Sequence, residues 1–316
     1  MHELIEWLGR RVALRHRVGE RDGRPLFSDA VGELADGGAD AVVVHARRGP
    51  VRVTRDTVVA VRLVPPAPPR RASWAAVARL EGLCADAWPA LVDEPLGAWR
   101  LRAAGGFTGR ANGAIAVGDP GLAVPAALDA ARGFAVRHGV APRAQVPIGS
   151  PWDRAVAGAG WVLDAGDAAG AEVAVLVGEL AALAEVSRTP GGAVELLDRP
   201  DARWCDIALG RAPAPAERAV LDPGAGTVFG LVPGIGAVRG MLVEDHLHLS
   251  RLVTRPEARR RGHATALTAA AAGWGLRRGA RWAVLQVALQ NTAARAFYDR
   301  LGCVEHHRYR YLVPPV

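Results

Sequence analysis

Pro65-Pro66-Ala67-Pro68-Pro69, followed by Arg70-Arg71, restricts the fold of this chain more than any other stretch. Each proline fixes its own φ and removes a backbone donor, so four within five residues oppose helix and sheet alike. They favour a stiff, extended connector instead. The chain is therefore read as a small piece over 1–64, a connector over 65–72 and a larger piece beyond it.

Before the connector, apolar runs at Arg11–His16, Ala41–Ala46, Val51–Val53 and Thr57–Val64 alternate with turn clusters. The turns are Arg21-Asp22-Gly23-Arg24-Pro25, Asp36-Gly37-Gly38 and Gly49-Pro50. Short strands at this spacing suggest a small β-barrel of SH3-like kind.

Charge is unevenly spread. No lysine occurs, so all 39 basic residues are arginine. Residues 251–316 hold 12 of them against Glu257, Asp299 and Glu305, a balance of +9. The other 250 residues hold 27 arginines against 29 acids, a balance of −2. The segregation points to an anionic ligand near the C-terminal end. Residues 1–72 lack a stripe of interleaved basic and aromatic residues, which argues against nucleic acid as the partner. Cys84, Cys205 and Cys303 lie far apart, without metal-ligand spacing, so neither a disulfide scaffold nor a metal site is expected. No run of about 18 apolar residues and no basic-then-apolar leader is seen, so a cytoplasmic location without membrane contact is expected.

The larger piece reads as one architecture used twice. A helix to Gly279, a strand Trp282–Val287 and a helix ending Arg300-Leu301-Gly302 follow one another. Earlier come a helix to Gly139, a strand Ala144–Val146 and a helix ending Gly158-Ala159-Gly160. Val146 and Val287 are 141 positions apart and Gly160 and Gly302 are 142 apart, which suggests a duplication, with copies over 73–190 and 191–316.

The chemistry-bearing stretch is Leu247–Tyr311. Strand Leu247–Val253 leads through Thr254-Arg255-Pro256-Glu257-Ala258 into Arg259-Arg260-Arg261-Gly262-His263-Ala264-Thr265, then into the alanine-rich run Ala266–Leu276. A strand, a tight turn and a helix N-terminus together present unpaired amides and a favourable dipole to an anion such as phosphate. Gly262 allows close backbone approach and the arginines add charge-assisted contacts.

Arg259-x-x-Gly262-x-Ala264 resembles the Q/R-x-x-G-x-G/A signature of the GCN5-related N-acetyltransferases. The run Asn291-Thr292-Ala293-Ala294-Arg295-Ala296-Phe297-Tyr298-Asp299-Arg300-Leu301-Gly302 is similar to the family's second motif, N-x-x-A-x-x-x-Y-x-x-x-G. The resemblance implies an α/β (α+β) architecture of tandem acetyltransferase folds with a mixed sheet, and acetyl-CoA as the acetyl donor. It implies that backbone at Leu252, Val253 and Thr254 pairs with the pantetheine, and that amides near Val253 stabilise the oxyanion. Arg259, Arg260, Arg261, Gly262, His263, Ala264 and Thr265 would cradle the pyrophosphate. Asn291, also a natural N-cap, would hold the cofactor arm, and Tyr298 would protonate the departing thiolate. Many family members carry a basic glutamate fourteen residues before the first glycine of the turn. Here that position is His248, with His246, Glu244 and water as the other choices for the base.

In the earlier copy Val156 and Gly149 stand where Tyr298 and Asn291 stand, and no matching turn precedes Pro125–His138. That copy is expected to be degenerate, with a structural or acceptor-side role. Its segment Gly105-Gly106-Phe107-Thr108-Gly109-Arg110-Ala111-Asn112 resembles a stretch of tandem acetyltransferases. Arg110 is the candidate for gripping an acceptor carboxylate, with Asn112 on the same turn; a hairpin capped by its own side chains is the structural alternative. The whole resembles actinobacterial acetyltransferases, some described as N-acetylglutamate synthases, which makes glutamate the first acceptor to test. A small-molecule amine is thus the expected partner. A protein acceptor, or a nucleic-acid or protein-binding module that senses acetyl-CoA without turnover, is the alternative.

Overall fold

A computed structural model of the chain describes residues 7–46, 49–64, 72–167, 170–186 and 193–315. Two units are formed, 1–70 and 71–316. Residues 65–71 of the expected connector lie outside the described residues.

The first unit is antiparallel: β1 (Arg11–Arg21), β2 (Arg24–Asp36), β3 (Ala41–Ala46), β4 (Gly49–Thr54) and β5 (Val58–Leu63), in the order β4-β3-β2-β1-β5. Asp22 and Gly23, at φ 52° and 75°, supply the left-handed pair that a two-residue hairpin requires. The sheet does not close into the expected SH3-like barrel, because its edges β4 and β5 are not paired among the described residues. Its core, Val12, Leu14, Ala30, Leu34, Val42, Val44 and Val53, occupies only the end away from Asp22 and Gly23.

The second unit runs α1 (Trp74–Ala87), β6 (Val92–Leu96), β7 (Trp99–Ala103), β8 (Gly113–Ile115), α2 (Val124–Arg137), β9 (Ala144–Pro147) and α3 (Pro151–Gly158). Next come β10 (Val162–Leu163), β11 (Glu172–Glu179), α4 (Leu180–Glu185), β12 (Glu195–Leu197), α5 (Ala202–Leu209) and α6 (Pro215–Leu221). It ends with β13 (Thr227–Val232), β14 (Gly236–Val243), β15 (His246–Thr254), α7 (His263–Leu276), β16 (Trp282–Ala288), α8 (Thr292–Arg300) and β17 (Val304–Val313). Sequence punctuation explains several starts: Ser73, Ser150 and Asp201 each accept a hydrogen bond from an amide of the helix they open.

All these strands join one mixed sheet. Its path is β12-β13-β14-β15-β16-β11-β17-β9-β8-β7-β6, with β10 beside β17. Only β8–β9 and β15–β16 are parallel among the described residues. The two ends mirror each other, since β6-β7-β8-β9 and β13-β14-β15-β16 share one order and one parallel pair. The centre is exchanged. β11 lies between β16 and β17, and β17 lies between β11 and β9. Each half therefore lends its last long strand to the other, and one sheet passes through both. No helix among the described residues is long and apolar enough to cross a membrane.

Candidate active site

β15 and β16 begin side by side and then separate. Their pairing covers only His246–Leu249 against Trp282–Leu285, although β15 continues to Thr254 and β16 to Ala288. The cause lies on the other edge of β15. Opposite β14, the register steps so that Val238 alone faces Arg251 and Leu252. Arg251 takes φ 52°, in the left-handed region, to accommodate the extra residue. A bulge bends the strand that carries it. Leu252, Val253 and Thr254 follow directly, with the edge toward β16 unpaired.

The strand then enters the turn. Arg260 at φ 63° and Gly262 at φ 85° reverse the chain into α7. Ala266 is the first residue of α7 to donate within the helix, to the Gly262 carbonyl at 2.9 Å, so the amides of His263, Ala264 and Thr265 have no intrahelical acceptor. Arg259 donates from Nε to the Thr254 carbonyl at 3.3 Å, while Arg260 and Arg261 are exposed. The turn, its amides and its cations thus lie together at the start of α7. α7 is anchored by Leu267, Ala271, Ala272 and Trp274 in the main core.

α8 approaches the parted strands on the same face. Tyr298 is 5% exposed and packs in the cluster that holds Leu249, Leu285, Val287 and the partly buried Leu252. Burial, and then Cys303, push its phenol well above the ordinary value, so it stays protonated. Asn291 caps α8, accepting from the Ala294 amide at 3.0 Å. Its amide NH₂ is exposed with the rest of the residue.

The opposite face of the sheet departs from expectation. His248 is 1% exposed, and neither ring nitrogen has a hydrogen-bond partner. Burial first, then Arg239 and Arg110, lower its pKa to about 3, with Gln286 opposing. A ring so reluctant to accept a proton is poorly suited to the base role expected of His248. Glu244 is no substitute. It sits at φ 52° in the β14–β15 turn, paired with Arg79 at 2.6 Å, seven residues from the bulge, or about 23 Å at strand rise. His246 is likewise at the far end, bonded to Asp245 at 2.8 Å.

Arg110 does reach the parted strands. Its Nη2 donates at 2.8 Å to the carbonyl of Gln286, one residue beyond the last pairing of β16. Buried Arg102 fixes this loop by donating to the carbonyls of Arg110, Ala85 and Trp88. Asn112 is different. Its Oδ1 accepts from the amides of Ala104 and Gly106, and its Nδ2 donates to the carbonyls of Phe107 and Thr108. These bonds all lie within its own loop, the arrangement of a hairpin capped by its own side chains.

Arg239, Arg251 and Gln286 belong to this region and are not singled out by the sequence motifs. A signal existed, because Arg239 is the one charged residue in the apolar strand Gly236–Val243. Its Nε donates to the Leu221 carbonyl at 2.6 Å and its guanidinium lies 4.8 Å from the Trp88 ring centre. Arg251 lies over Phe107 at 5.1 Å.

The family described as Probable histone acetyltransferase Rv0428c C-terminal matches residues 75–312. A Mycobacterium tuberculosis protein named Probable histone acetyltransferase Rv0428c is 30% identical over 319 residues, covering 98% of this chain and 97% of that protein. A GCN5-related N-acetyltransferase from Kribbella flavida superposes with a TM-score of 0.58 at 18% identity, over 76% of this chain and 95% of that one. The chain thus shares the fold of a GCN5-related N-acetyltransferase, belongs to the family described as Probable histone acetyltransferase Rv0428c C-terminal, and is an acetyltransferase.

Proposed function

We propose that the chain moves acetyl directly from acetyl-CoA to a small-molecule amine, with glutamate the first acceptor to test. The observation that carries this reading is the parting of β15 and β16 at the Arg251 bulge, directly upstream of the arginine-rich turn at the start of α7. In this reading Leu252, Val253 and Thr254 hold the pantetheine by backbone. The amides of His263, Ala264 and Thr265, with Arg259, Arg260, Arg261 and Gly262, take the pyrophosphate. Asn291 caps α8 with its oxygen and offers its NH₂ to the cofactor arm. The amine lone pair attacks the thioester carbonyl carbon, a C–N bond forms and the C–S bond breaks. The departing sulfur takes the proton that Tyr298 holds, the proton released by the acceptor nitrogen passes to water, and water returns a proton to the Tyr298 phenolate, so the net transfer is from nitrogen to sulfur. Val156 and Gly149 replace the tyrosine and asparagine in the first half, so it acts on the acceptor side through Arg110.

The name of the M. tuberculosis relative favours a second reading, transfer to a lysine of a protein. One assay addresses both. Thiol release from acetyl-CoA is followed over amino acids, polyamines, aminoglycosides and lysine-rich peptides. Acetylated product with a small amine supports the first reading, and turnover confined to peptides supports the second.

A further inference from the structure

Structural arginines in this unit are neutralised. Arg102 meets Asp93, Arg143 meets Asp164 and Asp167, and Arg310 meets Asp153. Beside the parted strands the pattern fails. Among the described residues, no carboxylate is bonded to Arg110, Arg239 or Arg251, although Arg251 lies in the field of Arg110 and acts on Arg239, and Arg239 and Arg110 both act on His248. The nearest acids are otherwise placed. Glu217 gives both oxygens to Arg211, at 2.6 Å each, and Arg239 turns its Nε to the Leu221 carbonyl rather than to Asp222.

Several polar atoms there are sealed from solvent with no partner: Arg110 Nε, Arg239 Nη2, both nitrogens of His248 and Gln286 Oε1. Arg239 is fully buried and His248 nearly so. Leaving such groups unsatisfied is costly, and more so for charged ones. A buried cation without a counterion is rarer still. Burial lowers the Arg239 pKa to about 9, with Asp222 opposing the shift and Arg251 adding a smaller push in the same direction. Arg110 and Arg251 are partly exposed, so the cluster opens on their side.

We propose that this cluster is an anion subsite for the acceptor, which is therefore a small amine bearing a carboxylate. Arg110 and Arg251 grip the carboxylate from the open side, and Arg239 and an N–H of neutral His248 lie behind them. The proposal rests on the acetyl-transfer reading and adds the acceptor's class. Planar guanidinium suits carboxylate in paired hydrogen bonds. The same positive field lowers the pKa of the acceptor's ammonium, supplying free amine without a basic side chain. It also opposes a lysine-rich peptide, which would bring further positive charge.

The test begins with acetyl-CoA binding to the full chain by calorimetry, and absence of binding there sinks the acetyl-transfer reading itself. With binding established, kcat/KM is measured for the standard amino acids, for the same compounds with each carboxylate amidated, and for a lysine-rich peptide. Acceptors that turn over should carry a carboxylate, and amidation should cost at least about a hundredfold. Equal use of the amides, preference for the peptide, or failure of every amino acid to react overturns the anion subsite. Arg110→Gln should raise the KM of the best carboxylate acceptor at least about thirtyfold while the acetyl-CoA Kd and the thermal midpoint hold. Arg110→Lys should recover part of that loss. A lowered midpoint with unchanged acceptor KM would make Arg110 a structural plug for the Gln286 carbonyl and overturn its role in the subsite.

Discussion

Two buried side chains on opposite faces of the sheet make opposite predictions. Tyr298 is kept protonated by burial, so it can donate to a leaving thiolate but cannot serve as a base. Tyr298→Phe should lower kcat about a hundredfold, near the small end of general-acid effects, while acetyl-CoA affinity stays within about twofold. Thiol-release kinetics and calorimetry decide it, and an unchanged kcat removes the tyrosine from the reaction. His248 should instead appear in stability. Its folded pKa of about 3 lies below the unfolded value near ~6.5, so the unfolded chain binds the proton first as pH falls. The folded state then loses up to about 1.4 kcal/mol per pH unit, beginning below ~6.5, or about 2 kcal/mol between pH 7 and pH 5. Replacing His248 with Gln should remove that difference in urea melts at the two pH values, and should leave the acidic limb of the pH–rate profile, where an essential base would titrate, where it was. A limb that shifts would return His248 to the role of base.

At the scale of elements, the turn before α7 carries the strongest prediction. Gly262 adopts a left-handed conformation that a side chain would strain, beside amides that an acidic group would occupy. Calorimetry should find one acetyl-CoA per chain, and Gly262→Glu should abolish it while α7 remains folded by circular dichroism. Two equivalent sites would overturn the assignment of the first half to the acceptor side. This part of the molecule was legible because punctuation is local: Gly262, Asn291 and Gly302 mark ends that any helix of this kind needs, and β16 and α8 fall where the pattern places them. β2 was not. Its inward alternation begins only at Ala30, after six exposed positions of which the first two, Arg24 and Pro25, belong to a turn cluster. The subsite arginines were legible only in part, because a lone Arg239 in an apolar strand marks a buried cation without saying which cations come from elsewhere to join it.

For the whole molecule the decisive fact is the exchange of β11 and β17, which no local pattern could announce, since alternation fixes the face of a strand and not its neighbours. Val173, Ala174, Val175 and Leu176 of β11 are all under 10% exposed, between strands that arrive much later in the chain. Cutting the chain between residues 186 and 193 should therefore give two fragments that aggregate when made separately and copurify when made together. Separately soluble, folded fragments would contradict the exchanged centre. The exchange also sets an order of events during synthesis. More than a hundred residues separate the end of β11 from the start of β16, and β17 is later still. At ribosomal speeds of about 5–20 residues per second, β11 waits on the order of 5–20 s with both edges open. An apolar strand with open edges invites pairing with another chain. The nascent protein thus passes through a window of exposure that its finished form gives no sign of, and growth temperature or chaperone supply should govern its yield more than the stability of the native state does.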